Sequence, residues 1–244
     1  MRCISVFSVI IVFSCVPNSL AGFSTFQGID PSPGGTVPLA GDAAVARMNF
    51  LASLSTGVGT EDFEGFSVGP ADPLILTFPS ATGTITATLT GGGATIDGAA
   101  GSGRFATSGS QFLQTTNGGD FNIAFSQPVA AFGFYATDLG DFAGDLQLTL
   151  SNGATKMVTV PTAGLPNGNL VFWGFRDNME SYTNIAFLNT GPDDVFGFDD
   201  MTVGDPTVVL PPTIPEPNAF LALSMVALAA GARRWRIRTA HLGR

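Results

Sequence analysis

From Gly83 to Leu89 the chain alternates without a break. Thr84, Thr86 and Thr88 fall on one parity, Ile85, Ala87 and Leu89 on the other, and Gly91-Gly92-Gly93 closes the run. A period of two is the mark of a strand with one face buried, whereas a helical stripe recurs every three or four residues. The same texture recurs between turn signals along most of the chain. Leu74–Phe78 stops at Pro79, Asp120–Phe125 alternates clearly, and Val129–Thr137 puts Phe132 and Phe134 on one side and Gly133 and Tyr135 on the other. Asp145–Leu150 and Thr155–Val160 flank Ser151-Asn152-Gly153, and Asn-Gly between alternating runs is a strong hairpin signal. Gln111–Leu113, Val171–Phe175, Thr183–Leu188 and Phe196–Val203 complete a set of about ten short strands. Short strands with glycine turns imply an all-β fold, an antiparallel β-sandwich of jelly-roll type.

Cohesion must come from packing. Cys3 and Cys15 both lie in the first fifteen residues, so the body of the chain has no disulfide and no thiolate chemistry. Eighteen of the 21 phenylalanines lie between Gly22 and Ile214, enough to fill the space between two sheets. One short N-terminal helix is expected over Asp42–Leu54, with Asp42 as its cap and Val45, Met48, Leu51 and Ala52 on its apolar face.

Between Gly22 and Ile214 the only bases are Arg47, Arg104, Lys156 and Arg176, against eighteen acids, a net charge of −14. Such a surface repels nucleic acid and anionic headgroups. The single histidine is His241, so the body can build neither a Ser-His-Asp nor a Cys-His site, nor a zinc site of the usual kind.

Both ends carry addressing signals. Arg2, the apolar stretch Ile4–Val16 and Ser19-Leu20-Ala21 form a signal peptide over 1–21 with cleavage after Ala21. The residues before Cys15, Val12-Phe13-Ser14, lack the leucine and small residue of a lipoprotein signal. At the other end, the apolar run Ala219–Ala232 makes a hydrophobic helix of about 21 Å, short of the ~30 Å bilayer core. Arg233, Arg234, Arg236 and Arg238 hold its far end on the cytoplasmic side. Pro215-Glu216-Pro217 lies just outside it, extended and reachable. One reading of these residues is a plain single-span anchor.

The tail resembles the PEP-CTERM sorting signal of Gram-negative bacteria. The resemblance rests on Pro215-Glu216-Pro217, the hydrophobic segment and the terminal arginines, in the family's order. It implies an exosortase partner that acts at the triplet, passage through the inner membrane, and a final place at the cell surface or in the extracellular matrix. The body, over about Thr60–Gly204, is similar to a domain that recurs upstream of such tails. Its marks are Asp62-Phe63-Glu64, Gly103-Arg104-Phe105, Pro128–Tyr135 and Phe196-Gly197-Phe198-Asp199-Asp200. The organisation expected is a signal peptide (1–21), an N-terminal segment with the short helix (22–59), a β-sandwich (60–204), a Pro-rich linker (205–214) and the sorting signal (215–244).

Three kinds of chemistry remain open to the body. Calcium needs only oxygens, and Asp138, Asp141 and Asp145 share one glycine-interrupted loop, while Asp193, Asp194, Asp199 and Asp200 lie beside the last strand. Asp138, Asp141, Asp145, Asp199 and Asp200 are the candidate ligands of one structural Ca2+. The other reading is a solvated turn whose aspartates accept backbone amides. A glycosidase would need two facing carboxylates, for which Glu61, Glu64 and Glu180 are available. Trp173 and Tyr182, with Tyr135, would stack on sugars if they faced outward. The function expected is therefore a non-enzymatic exported surface or matrix protein, associated with exopolysaccharide. The alternative is a lectin-like module or a carbohydrate-active enzyme.

Overall fold

The computed structural model describes residues 22–55, 58–81, 83–115, 120–142, 144–191 and 194–209. They belong to one compact unit that runs to Leu210. The second unit, Pro211–Arg244, lies outside the described residues, as does the signal segment 1–21. The triplet, the hydrophobic run and the arginines therefore carry no structural account. Among the described residues no helix is long and apolar enough to cross a membrane.

The fold is an antiparallel β-sandwich. One sheet contains β1 (Phe23–Asp30), β2 (Gly59–Glu61), β3 (Gly69–Pro70), β6 (Thr95–Asp97), β7 (Phe112–Gln114), β9 (Ala131–Thr137), β12 (Leu170–Asp177) and β14 (Gly197–Gly204). Its order is β1-β12-β9-β14-β7-β6-β3, with β2 on β14. The other sheet, ordered β11-β10-β13-β8-β5-β4, contains β4 (Leu74–Ser80), β5 (Gly83–Gly91), β8 (Phe121–Val129), β10 (Leu146–Ser151), β11 (Thr155–Val160) and β13 (Tyr182–Asn189). The hairpin expected at Asn152-Gly153 joins β10 to β11, in register from Leu146↔Val160 to Ser151↔Thr155.

The inward parities of the two sheets meet in a core rich in phenylalanine. Phe132, Phe134, Phe187 and Phe198 are mutually packed, with Phe134 and Phe198 stacked at 4.8 Å and Phe121 and Phe187 at 4.1 Å. Such offset and edge contacts add about 0.5–1.5 kcal/mol each beyond burial.

Residues 22–59 are not an appendage to this core. β1 pairs with β12 along its whole length, Phe23↔Asp177 to Asp30↔Leu170. Only Gly28 of β1 is buried, so the strand's alternation of hydrophobicity is too weak to announce it. The helix α1 (Asp42–Ala52) packs on the outer side of the same sheet and closes a second, smaller core.

The expected face of that helix is wrong. Ala43, Ala46 and Phe50 point inward, while Val45 and Met48 are 39% and 61% exposed. Phe50 decides the rotation. Gly133 and Gly174 face each other on β9 and β12 and leave a slot that the Phe50 ring enters. Ala43 and Ala46 lie seven and four residues before it and follow onto the same stripe. Nor does Asp42 cap. Gly41 is the N-cap residue, and the Asp30 carboxylate, at the end of β1, accepts from Asp42 N at 2.9 Å and Ala43 N at 3.2 Å. The cap is tertiary, so no local motif encodes it.

Candidate functional site

Three connections meet at one end of the sandwich: the one after β9 is held to the one after β11 through Asp145 and to the one after β13 through Asp194. Asp138 has a left-handed backbone (φ 65°) and a buried carboxylate. It accepts from Arg104 Nη1 at 3.2 Å and Gly168 N at 2.8 Å. Burial nevertheless lifts its pKa, with the Gly168 amide and Arg104 opposing. Asp145 Oδ1 accepts from Thr162 N and Ala163 N, both at 2.9 Å, and so holds the second loop to the first. Asp194 Oδ2 accepts from Gly140 N at 2.8 Å and ties the third loop to the first. Burial, helped by the charge of Asp141, raises Asp194 to about 6.

Asp199 and Asp200 belong to a different network. A bulge between Asp199 and Thr202 interrupts β14 where it runs beside β9, and Asp200 adopts φ 50° there. Asp199 Oδ2 accepts from Thr107 N at 2.6 Å, Thr107 Oγ1 at 2.9 Å and Ser108 N at 3.2 Å. Asp200 Oδ1 accepts from Ser108 Oγ at 2.9 Å, and Arg47 lies 3.9 Å away. This pair pins the 107–108 loop to the sheet. Burial, then the neighbouring Asp200 charge, pushes Asp199 up to about 7. The five aspartates thus fall into two places, with Asp138, Asp141 and Asp145 in one and Asp199 and Asp200 in the other. Among the described residues no three acidic, histidine or cysteine side chains stand together as a metal set.

The proposed stacking platform is corrected. Trp173 and Tyr182 are each 1% exposed, so neither offers a ring face to a ligand. Trp173 packs against Phe134 and Phe175, since its strand is covered on both sides. The Tyr182 hydroxyl donates to Asp177 Oδ2 at 2.7 Å, and Lys156 Nζ reaches the same oxygen at 2.9 Å. Tyr135 lies beneath Arg47, 5.7 Å from the ring centre.

The three glutamates serve separate structural tasks. Glu61 accepts from Phe63 N; burial raises it. Glu64 accepts from Ser110 N and Ser110 Oγ and from Gln111 N, and these amides hold it below the usual range. Glu180 pairs with Lys156 at 3.2 Å. Asp62 turns the chain by accepting from Glu64 N.

Two features escape the residue-by-residue reading. The first is a shallow cleft of about 510 Å³ lined by Gly34, Gly35, Gly103, Arg104, Phe105 and Gly168. The second is the outer face of the six-stranded sheet. Its six strands contain one charged residue, Lys156, which turns to the sheet's edge to meet Asp177 and Glu180. The rest of that face is hydroxyl, amide and aliphatic, with Ile75, Met157 and Leu188 exposed among the polar side chains. The register carries one row from Ile75 through Thr88, Ala124, Asn184 and Ser151 to Thr155. A parallel row runs from Thr90 through Asn122, Ala186 and Thr149 to Met157. At about 4.8 Å per strand the first row spans roughly 24 Å and the second roughly 19 Å. The signal was present in Thr84, Thr86, Thr88 and Thr90, one parity of β5.

No protein-family model matches the chain, and no curated protein matches it by sequence. Several solved structures align at low identity. A xylan-binding domain of carbohydrate-binding family 22 is 14% identical, over 64% of this chain and 99% of that one, with a TM-score of 0.35. The K2 cleaved adhesin domain of Lys-gingipain is 16% identical, over 60% and 98%, with a TM-score of 0.38. TmCBM61, solved with β-1,4-galactotriose, is 16% identical, over 49% and 86%, with a TM-score of 0.28. At these scores the likeness says nothing about a ligand of this chain.

Proposed function

We propose that this is an exported, non-enzymatic module of the cell surface or extracellular matrix that lies against neutral polysaccharide. The uncharged outer face of the six-stranded sheet carries the reading. In a body of net charge −14 the acids cover other surfaces and leave one sheet face free of charge. Threonine, serine, asparagine and glutamine there offer both donors and acceptors, the complement of a neutral glycan's hydroxyls. Without an aromatic platform each contact is weak, so retention rests on multiplicity along a polymer. The acids surveyed above are occupied in holding loops, which favours a passive role over hydrolysis. The address comes from the ends of the chain, where the resemblance at Pro215-Glu216-Pro217 supports export followed by exosortase-type processing.

Affinity electrophoresis tests the binding face. Gels cast with neutral polysaccharides should retard the protein, and gels cast with acidic ones should not. Thr86→Glu with Ala124→Glu, both at exposed positions, should abolish the retardation while the circular dichroism stays unchanged. Equal mobility in every gel would overturn the reading. The address is tested by mass spectrometry of the mature protein, whose C-terminus should fall short of Arg244.

A further inference from the structure

Two carboxylates in the converging loops are left with one bare oxygen each. Asp194 is 1% exposed; Gly140 N serves its Oδ2, but its Oδ1 is buried and makes no hydrogen bond, beside the Asp141 carboxylate and the Asn189 side chain, whose Nδ2 is also unpartnered. Asp141 Oδ2 meets Asn167 Nδ2 at 3.5 Å, while its Oδ1 is likewise buried and unpartnered. A buried acceptor without a donor costs about 1–3 kcal/mol, and more when charged. The other described acids of these loops are satisfied: Asp138 by Arg104 and Gly168, Asp145 by Thr162 and Ala163. No base is at hand for the pair. Arg104 is spent on Asp138, Lys156 on Asp177 and Glu180, Arg47 on Asp200, and Arg176 reaches Ser53 O.

We propose that Asp141 and Asp194 hold a calcium ion between them, clamping the loop after β9 to the loop after β13. The donor set is oxygen only, which suits a hard cation and excludes the thiolate and imidazole metals. A third unpartnered buried oxygen, Asn169 Oδ1, lies on the remaining loop, whose Nδ2 already donates to Leu139 O at 2.9 Å. Two carboxylates with neutral oxygens and water make a weak site, in the 10⁻⁴–10⁻³ M range of extracellular modules. Magnesium, with its strict octahedron and tight water shell, fits a loop site of this kind less well. A bridging proton is the competing occupant.

The test is thermal unfolding of the full chain in EDTA, in 10 mM CaCl2 and in 10 mM MgCl2, with equilibrium dialysis against calcium. Calcium at ten times Kd should raise Tm by about 3–6 °C, and magnesium by much less. Asp194→Asn should remove that shift and the bound calcium. Asp141→Asn, at a half-buried position, serves the same purpose if the first variant does not fold. Asp62→Asn, at an exposed turn, should keep both. A wild-type Tm indifferent to calcium, an equal response to magnesium, or an undiminished shift in Asp141→Asn would each overturn the proposal. None of these readings involves polysaccharide.

Discussion

The slot that receives Phe50 makes a quantitative prediction. Phe50 is fully buried, between Phe26 at 5.6 Å and Phe172 at 5.7 Å, and rests on the glycine pair of β9 and β12. Removing such a ring costs about 3–5 kcal/mol in transfer and cavity terms. Gly133 has no left-handed backbone, so alanine is conformationally acceptable there. The obstacle is steric: a β-carbon would lie 2.8 Å from Phe50 Cε1 and 3.1 Å from Phe172 Cζ. In the wild type Gly133→Ala should therefore cost about 1–3 kcal/mol by overpacking. In the Phe50→Ala background the same methyl enters the vacated slot. It fills part of the cavity and stiffens the unfolded chain, worth about 0.4–1 kcal/mol. The double variant should then be more stable than the two losses combined by at least ~1 kcal/mol. Urea unfolding followed by circular dichroism reads all four corners of the cycle. Phe50→Ala alone should lower Tm by roughly 10 °C in a unit of this size. Additivity within about 0.5 kcal/mol would refute the slot, because it would mean that ring and glycine do not meet.

Two further outcomes concern buried carboxylates. Asp199, pushed up to about 7 by burial, favours its protonated form in the fold. Its contribution is full below the ordinary carboxylate pKa and is lost as pH rises through 7, a swing on the order of 4 kcal/mol. In EDTA the urea midpoint should fall between pH 5 and pH 8, and Asp199→Asn should flatten that fall. Asp177 has the opposite sign. Burial alone would raise it, but Lys156, the Met179 amide and the Tyr182 hydroxyl bring it below its usual value. Its contribution is present above the ordinary pKa and disappears as pH drops through the folded one. Asp177→Asn should cost about 3 kcal/mol at pH 7 by stranding buried donors, measured by the same denaturation.

The sandwich was legible because its strands are half-buried in the plainest way. β4, β5 and β10 alternate buried and open along most of their length, and period two reads directly off such a pattern. β9 and β14 are buried on both sides; β9 is an apolar run, while β14 carries the buried Asp199 and Asp200 in its middle, and the strand character of both rests on phenylalanine and β-branched residues rather than on alternation. β1, β2, β3 and β6 were missed for two reasons. Three of them are two or three residues long, below any useful window, and β1 buries only a glycine. The helix was found but turned the wrong way, because the pocket that orients it is made of two glycines remote in sequence. The acidic loops were found as a group. That Asp138 and Asp145 are occupied while Asp141 and Asp194 are not depends on Arg104 and on backbone amides of other loops, and spacing holds no record of either.

The distribution of charge ties these features together. Aspartate makes up 15 of the 18 acids in the body, and its short side chain suits hydrogen bonds to backbone amides in turns. Here it caps the helix from another strand, closes the loops after β9 and β11, and fastens loop 107–108. In a body without cysteine these carboxylates do locally what a crosslink would do, fixing loops whose own residues are mostly glycine, serine and threonine. They sit in loops, at strand ends and at the bulge of β14, because that is where unpaired amides are within reach. The middle of the six-stranded sheet has its amides paired already and gains nothing from an acid. The same pressure that crowds aspartate into the loops leaves the broad outer face neutral, so anchorage and a surface suited to an uncharged polymer arise from one arrangement of side chains.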